Sequence, residues 1–254
     1  MTLAPLTLAP EARAIGRSLR TYYAPGRAAA LDRFHRRFLG PGELGFDIGA
    51  HVGDRAASFC RLGARVVAVE PQPRLARLLR LLLRDVSVVP ALVGAAPGRA
   101  VLHLNAGNPT VATASDAFIA AARDASGWEG QHWDGALERP VVTLDALAAA
   151  HGLPDFCKID VEGHEAAALD GLSRAPRGIS VEFTTIQRDV AQAALRRLSA
   201  LGYRAFNACL GESMRFEHTT PVDAGAMAAW LAALPHAANS GDLYASLEPE
   251  RLMG

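Results

Sequence analysis

Leu44-Gly45-Phe46-Asp47-Ile48-Gly49-Ala50-His51-Val52-Gly53 is the stretch whose reading decides the fold of this chain. Its apolar first half predicts a buried strand and its glycines a tight turn. Asp54 to Leu62 then reads as a helix, which Gly63 ends. A second strand, Arg65 to Val69, runs directly into Glu70. Strand, glycine turn, helix and strand, with an acid about 20 residues past the turn, form a nucleoside-binding βαβ unit. The glycines admit a ligand close to the backbone, and the acid takes ribose hydroxyls.

Downstream, Gln72 to Arg84 predicts an amphipathic helix with Leu75, Leu78, Leu79, Leu82 and Leu83 on one side. Strands follow at Val86 to Val89 and Ala100 to Leu104. Ala91-Leu92 lies between them, and Pro97-Gly98 marks a turn. The irregular stretch 105–138, rich in Gly, Asn and Thr, reads as a variable loop with a short helix through Phe118 to Arg123. Loops of that length in a compact domain are functional or mobile, so a substrate-facing insertion or lid is expected. Trp128, His132 and Trp133 in it either contact an acceptor or, for the tryptophans, pack the loop down.

Val141 to Leu144 predicts a strand, and Thr143-Leu144-Asp145 caps the helix Ala146 to His151. Phe156 to Ile159 is a buried strand that ends in Asp160-Val161-Glu162-Gly163-His164, and a helix follows over Glu165 to Leu172. Gly178 to Phe183 is a further strand, with Glu182 near its end, and Val190 to Leu201 is helical. Tyr203 to Asn207 and Met214 to Glu217 read as two closing strands, then a helix over Met227 to Leu234 and a tail to Gly254.

Alternation of strands and helices predicts an α/β fold: a mainly parallel sheet with helices on both faces and a ligand at the strands' carboxyl ends. Residues 1–41 form an N-terminal helical segment in which Leu31, Phe34, His35 and Phe38 recur at helical spacing, and 42–254 form the main domain. Arg33, Arg36 and Arg37 read as a solvated face. Tyr22 and Tyr23 either close over a bound base or pack on the core.

Lysine plus arginine number 26 and aspartate plus glutamate number 26, so no global field points to nucleic acid or an anionic membrane. Cys60, Cys157 and Cys209 are widely spaced and form neither a metal pair nor a disulfide framework, which fits a reducing cytoplasm. Met1 to Glu11 lack the pattern of a signal peptide, and no apolar run approaches the roughly 18 residues of a membrane helix.

The glycine turn discriminates between ligands. The dinucleotide fingerprint G-x-G-x-x-G is absent, since the glycines stand at Gly45, Gly49 and Gly53. A carboxylate at Asp47 repels a pyrophosphate but attracts an ammonium or sulfonium. S-adenosylmethionine carries both cations and no phosphate. The bland reading of Asp47 is a cap on the following turn. Rival classes are a nucleotide-dependent oxidoreductase and a non-catalytic S-adenosylmethionine-binding module.

Phe46-Asp47-Ile48-Gly49-Ala50-His51-Val52-Gly53-Asp54, Val67-Ala68-Val69-Glu70-Pro71-Gln72-Pro73, Thr143-Leu144-Asp145 and Lys158-Ile159-Asp160-Val161-Glu162-Gly163-His164-Glu165 together resemble the motifs of FkbM-type methyltransferases. Ile179-Ser180-Val181-Glu182 is similar to that family's strand-then-acid segment. The resemblance runs from about Gly42 to Glu182. It implies a Rossmann-like class I methyltransferase fold, whose seven-stranded sheet ends in an antiparallel strand. It also implies S-adenosylmethionine as donor and O-methylation of a sugar, polyketide or related small molecule. Carried over by position, Asp47, Gly49, Ala50, His51 and Gly53 line the methionine half of the cofactor. His51 replaces a small polar residue there, which leaves its backbone contacts. Glu70 takes the ribose, Pro71 and Gln72 border the adenosine, and Ala91 and Leu92 flank the adenine. Asp160 and Glu162 face the methyl group and the acceptor.

Methyl transfer to a hydroxyl needs alignment and a base. Asp160 or Glu162 is the expected base, with His164 as the alternative. The competing reading of Glu162 is a cap on the next helix. A divalent metal on Asp160, His164 and Glu182 is conceivable but has no tight ligand spacing behind it, so no metal is assigned.

Overall fold

The computed structural model describes residues 10–254. The readings made on Met1 to residue 9 lie outside them. In chain order the elements are α1 (Pro10–Tyr22), α2 (Arg27–His35), β1 (Leu44–Ile48), α3 (Asp54–Arg61), β2 (Arg65–Val69), α4 (Pro73–Leu82), β3 (Val86–Val89), β4 (Leu92–Val93), β5 (Gly98–Leu104), α5 (Asp116–Ala122), β6 (Gly135–Val142), α6 (Leu144–His151), β7 (Phe156–Ile159), α7 (Glu165–Asp170), β8 (Gly178–Thr184), α8 (Arg188–Ala200), β9 (Ala205–Leu210), α9 (Ala224–Ala233) and β10 (Ser240–Ser246). Among the described residues, no helix is long and apolar enough to cross a membrane.

Seven strands form the main sheet in the order β3-β2-β1-β7-β8-β10-β9. The first five are parallel, and β10 runs antiparallel to both β8 and β9. Chain order therefore reverses between β1 and β7, and the crevice that binds ligands in such sheets opens there. Strand alternation splits the core. Leu44, Phe46 and Ile48 of β1 join Ile159, Val181 and Leu195 on one face. Phe59 of α3, Phe156 and Tyr244 fill the other, beneath Phe34, Phe38 and Leu39. The N-terminal segment is thus part of the core: Phe38 stacks on Phe156 with ring centroids 4.5 Å apart and on Tyr244 at 5.6 Å.

The last strand corrects the sequence reading. Met214 to Glu217 is not a strand; Met214 takes a left-handed φ of 50°, and Phe216 packs 5.1 Å from Phe34. The closing strand is β10, in the stretch read as a tail. An aspartate is disfavoured in a central strand. Asp242 is tolerated there because Lys158 Nζ donates to its Oδ1 at 2.7 Å. Strand β6 likewise begins at Gly135, inside the stretch to Glu138 that reads as loop, because its sheet is a half-exposed satellite of order β4-β6-β5.

The irregular stretch shrinks to 105–134. It holds α5, which Ser115 caps by accepting from the Phe118 amide at 3.1 Å. The tryptophans anchor it: Trp128 and Trp133 pack edge-on to Phe118 at 5.2 and 6.2 Å. Their indole nitrogens donate to Asn239 Oδ1 and the Val111 carbonyl. Helix α4 buries Leu75, Ala76 and Leu79, whereas Leu82 is exposed.

Candidate active site

The turn after β1 is built from backbone. The amides of Gly49 and Ala50 donate to the Val69 carbonyl at 2.9 and 3.0 Å, which ties the ends of β1 and β2 together. Gly49 has φ +81°, and a β-carbon there would stand 1.7 Å from the Asp160 carbonyl oxygen, so the turns after β1 and β7 meet over this glycine. Gly53 brings a left-handed φ of 80° to the start of α3 but offers no side chain to cap the helix. Asp47 supplies that function from β1, accepting from the Ala56 amide at 2.9 Å. The capping reading of Asp47 therefore holds, and the same carboxyl lines the cleft; burial pushes it up to about 7.

Glu70 is aimed by two backbone amides. His51 donates to Oε2 at 2.9 Å and Gln72 to Oε1 at 2.8 Å. Burial pushes its carboxyl up to about 8. Each oxygen retains a lone pair that a vicinal diol can reach.

These residues border a cleft of about 930 Å³, its open mouth included. Asp47, Gly49, Ala50, His51, Glu70, Pro71, Gln72, Ala91, Leu92, Asp160, Glu162 and His164 all line it. Gly53 does not: a β-carbon on it would meet Leu79 Cδ2 at 2.4 Å, so it serves close packing of the turn on α4. Pro109, Thr110, Ala112 and Ala114 bring the irregular stretch to the wall.

The far end of the cleft is acidic. Register aligns Asp47, Lys158 and Ser180 across β1, β7 and β8. Lys158 is buried, and its ammonium bridges Asp242 Oδ1 at 2.7 Å and Asp160 Oδ2 at 3.1 Å. Asp160, Glu162 and Glu182 bring carboxylate oxygens within 4.8 Å of one another. Like charges that close cannot all ionise. Burial opposes ionisation of Asp160, but Lys158, a hydrogen bond with Glu182 and Arg55 overcome it and hold its carboxyl below the usual range. Burial and the neighbouring acids push Glu162 and Glu182 well above theirs. The Asp160 side chain keeps 29 % exposure, which leaves it reachable from the cleft.

Glu162 takes a left-handed φ of 53°, and its carbonyl accepts from Thr113 Oγ1 at 2.6 Å. It does not cap α7. Glu165, the first residue of α7, instead braces the turn before the helix, accepting the amides of Val161 and Gly163 at 3.0 and 3.2 Å. The imagined metal set is also revised: Glu162, not His164, groups with Asp160 and Glu182. His164 lines the cleft half-buried, and burial lowers its basicity.

Sequence reasoning offers Tyr22 as closing over a bound base or packing on the core, but it misses Arg55 and Glu212, which line the cleft with it. Tyr22 from α1 stands edge-on to His51 at 5.6 Å, with the guanidinium groups of Arg27 and Arg55 5.2 and 5.9 Å from its ring. Arg55 donates to both oxygens of Glu212 at 2.8 and 2.7 Å. Arg55 directly follows the glycine turn and could have been found from that position. Glu212 and Asp242 belong to the last fifth of the chain, where no motif marks them.

A Rossmann-like sheet with an antiparallel final strand, a glycine turn without the dinucleotide fingerprint, and a buried acid after the second strand are the marks of the S-adenosylmethionine-dependent methyltransferase class. The methyltransferase FkbM domain matches residues 47–205, and the chain belongs to that family. No curated protein matches it. Among solved structures it is similar to a precorrin-6Y C5,15-methyltransferase from Geobacter metallireducens, at 16% identity over 86% of each chain with a TM-score of 0.43. It is also similar to a TehB-like SAM-dependent methyltransferase from Corynebacterium glutamicum (11% identity, 92% of this chain and 96% of that one, TM-score 0.47). A third is an O-methyltransferase from Bacillus cereus in complex with SAH (12%, 97% and 94%, 0.44). None reaches a TM-score of 0.5, so fold and family rest on strand order and the domain match.

The residues present fit the cofactor. Glu70 presents free lone pairs, the buried Nε2 of His51 has no partner among the described residues, and the acids complement a cation.

Proposed function

We propose that this chain transfers the methyl group of S-adenosylmethionine to a hydroxyl oxygen of a small molecule or saccharide, with Asp160 as the base. One observation carries the reading: in the acidic end of the cleft, Asp160 alone of three clustered carboxyls is paired with a cation among the described residues, Lys158 at 3.1 Å, while it stays partly exposed. When bound, the cofactor supplies the electrophilic methyl. Glu70 and the turn at Gly49 to His51 hold it, and Ala91 and Leu92 wall the adenine side. Asp160 orients the acceptor hydroxyl and takes its proton as the oxygen–methyl bond forms and the sulfur–methyl bond breaks. His164 is the alternative acceptor-side base, and Glu162, raised above the usual carboxylate range, is the weaker candidate.

The acceptor is proposed to reach the site from the cytoplasm. Free thiols at Cys60, Cys157 and Cys209 and the balanced charge support that setting, without a nucleic-acid or membrane partner. An oxidoreductase reading has no support from the turn or the family. A non-catalytic binding module differs by turnover alone.

The test incubates the protein with methyl-labelled S-adenosylmethionine and a panel of hydroxylated acceptors. Label is expected in a product bond stable to mild base, as an ether is. Label lost to mild base as an ester, or held on nitrogen or carbon, contradicts the reading.

A further inference from the structure

The cations lining the cleft are already committed. Lys158 is shared by Asp160 and Asp242, and Arg55 by Asp54 and Glu212. Glu162 and Glu182 have no cation of their own, although both line the cleft. Glu162 is 7% exposed, and its carboxyl meets no hydrogen-bond donor of the described residues. The charged groups acting on it are Asp160, Glu165 and Lys158; those acting on Glu182 are Asp160, with which it shares a hydrogen bond, Glu162 and Lys158. A buried acid without a partner is costly unless a ligand completes it.

The cleft also has a direction. Ala91 and Leu92 lie beyond Glu70 at the β2 and β3 end, and Glu162 and Glu182 lie across the crevice at β7 and β8. A nucleoside held at Glu70 with its base on the apolar wall has its other end toward the acids. S-adenosylmethionine is charged at that end on sulfur, and S-adenosylhomocysteine is not. Resting on the cofactor reading above, we infer that Glu162 and Glu182, beside Asp160, read the sulfonium charge, so the cleft holds the methyl donor in preference to the spent product. Loss of the charge on transfer then favours product release. A divalent cation is the competing occupant of three carboxylates, and the ammonium of Lys158 already stands against one of them.

Calorimetric titration in chelator tests this with S-adenosylmethionine, S-adenosylhomocysteine and sinefungin, in which an ammonium-bearing carbon replaces the sulfonium. The wild-type chain should bind the two cationic ligands about tenfold more tightly than S-adenosylhomocysteine. Glu162→Gln and Glu182→Gln should each bring that ratio toward one and hold the affinity for S-adenosylhomocysteine within about twofold, which also reports a folded cleft. Equal wild-type affinities overturn the inference, as does a ratio that both substitutions leave intact. A preference that vanishes in chelator and returns with Mn²⁺ overturns it in favour of a metal site. Failure of all three ligands to bind overturns the cofactor reading itself. If neither variant folds, the wild-type ratio decides.

Discussion

Asp160→Asn should lower kcat by about three orders of magnitude, with the affinity for S-adenosylhomocysteine held within about threefold. Asparagine keeps the size of the side chain and can still meet an acceptor hydroxyl, but it cannot take the proton. The Lys158–Asp242 pair at 2.7 Å remains to neutralise the buried ammonium, so the strand end should survive the change. Glu162→Gln should cost less than about tenfold in kcat, because that carboxyl is more deeply buried than Asp160 and no cation of the described residues pairs with it. His164→Asn should likewise cost little. Single-turnover rates on the three variants assign the base: if Glu162→Gln or His164→Asn shows the large loss and Asp160→Asn the small one, the assignment here is wrong.

Gly49→Ala should destabilise the protein by about 4 kcal/mol or more and abolish cofactor binding. Two effects combine. At φ +81° an L side chain is strained, and the new β-carbon would sit 1.7 Å from the Asp160 carbonyl oxygen. That oxygen belongs to backbone and cannot swing aside; the Asp160 amide also donates to the Ile48 carbonyl at 3.0 Å, which locks the two turns together. For a domain of this size the loss corresponds to a drop of roughly 10 °C in melting temperature. Gly98→Ala is the control, since a β-carbon there has open space within 4 Å and no left-handed φ. A Gly49→Ala protein that melts like wild type would refute the close approach of the two turns.

Much of this was legible in the chain because local chemistry and tertiary role coincide. The glycine turn, Glu70 and the Asp160-to-Glu165 stretch are contiguous, and each carries its own signal of period, turn and acid. Strand β10 was hidden because Asp242 contradicts strand propensity and finds its excuse in Lys158, 84 residues away. Strand β6 was hidden by a polar exterior. Glu162 looked like a helix cap because it precedes α7, yet Glu162 and Gly163 take a left-handed backbone, no side chain of the described residues caps α7, and Glu165 braces the turn by accepting the amides of Val161 and Gly163. Tyr22, Arg55 and Glu212 converge from three distant segments, and no spacing rule links them.

Direct titration with S-adenosylhomocysteine, NAD and NADP, on the wild-type chain and on Glu70→Gln, tests the central claim most directly. The account predicts that S-adenosylhomocysteine binds, that NAD and NADP do not, and that Glu70→Gln weakens the binding about tenfold through loss of one of the two carboxyl oxygens that accept from the ribose hydroxyls. Binding of a dinucleotide in place of S-adenosylhomocysteine, or an affinity for S-adenosylhomocysteine indifferent to Glu70, would contradict it.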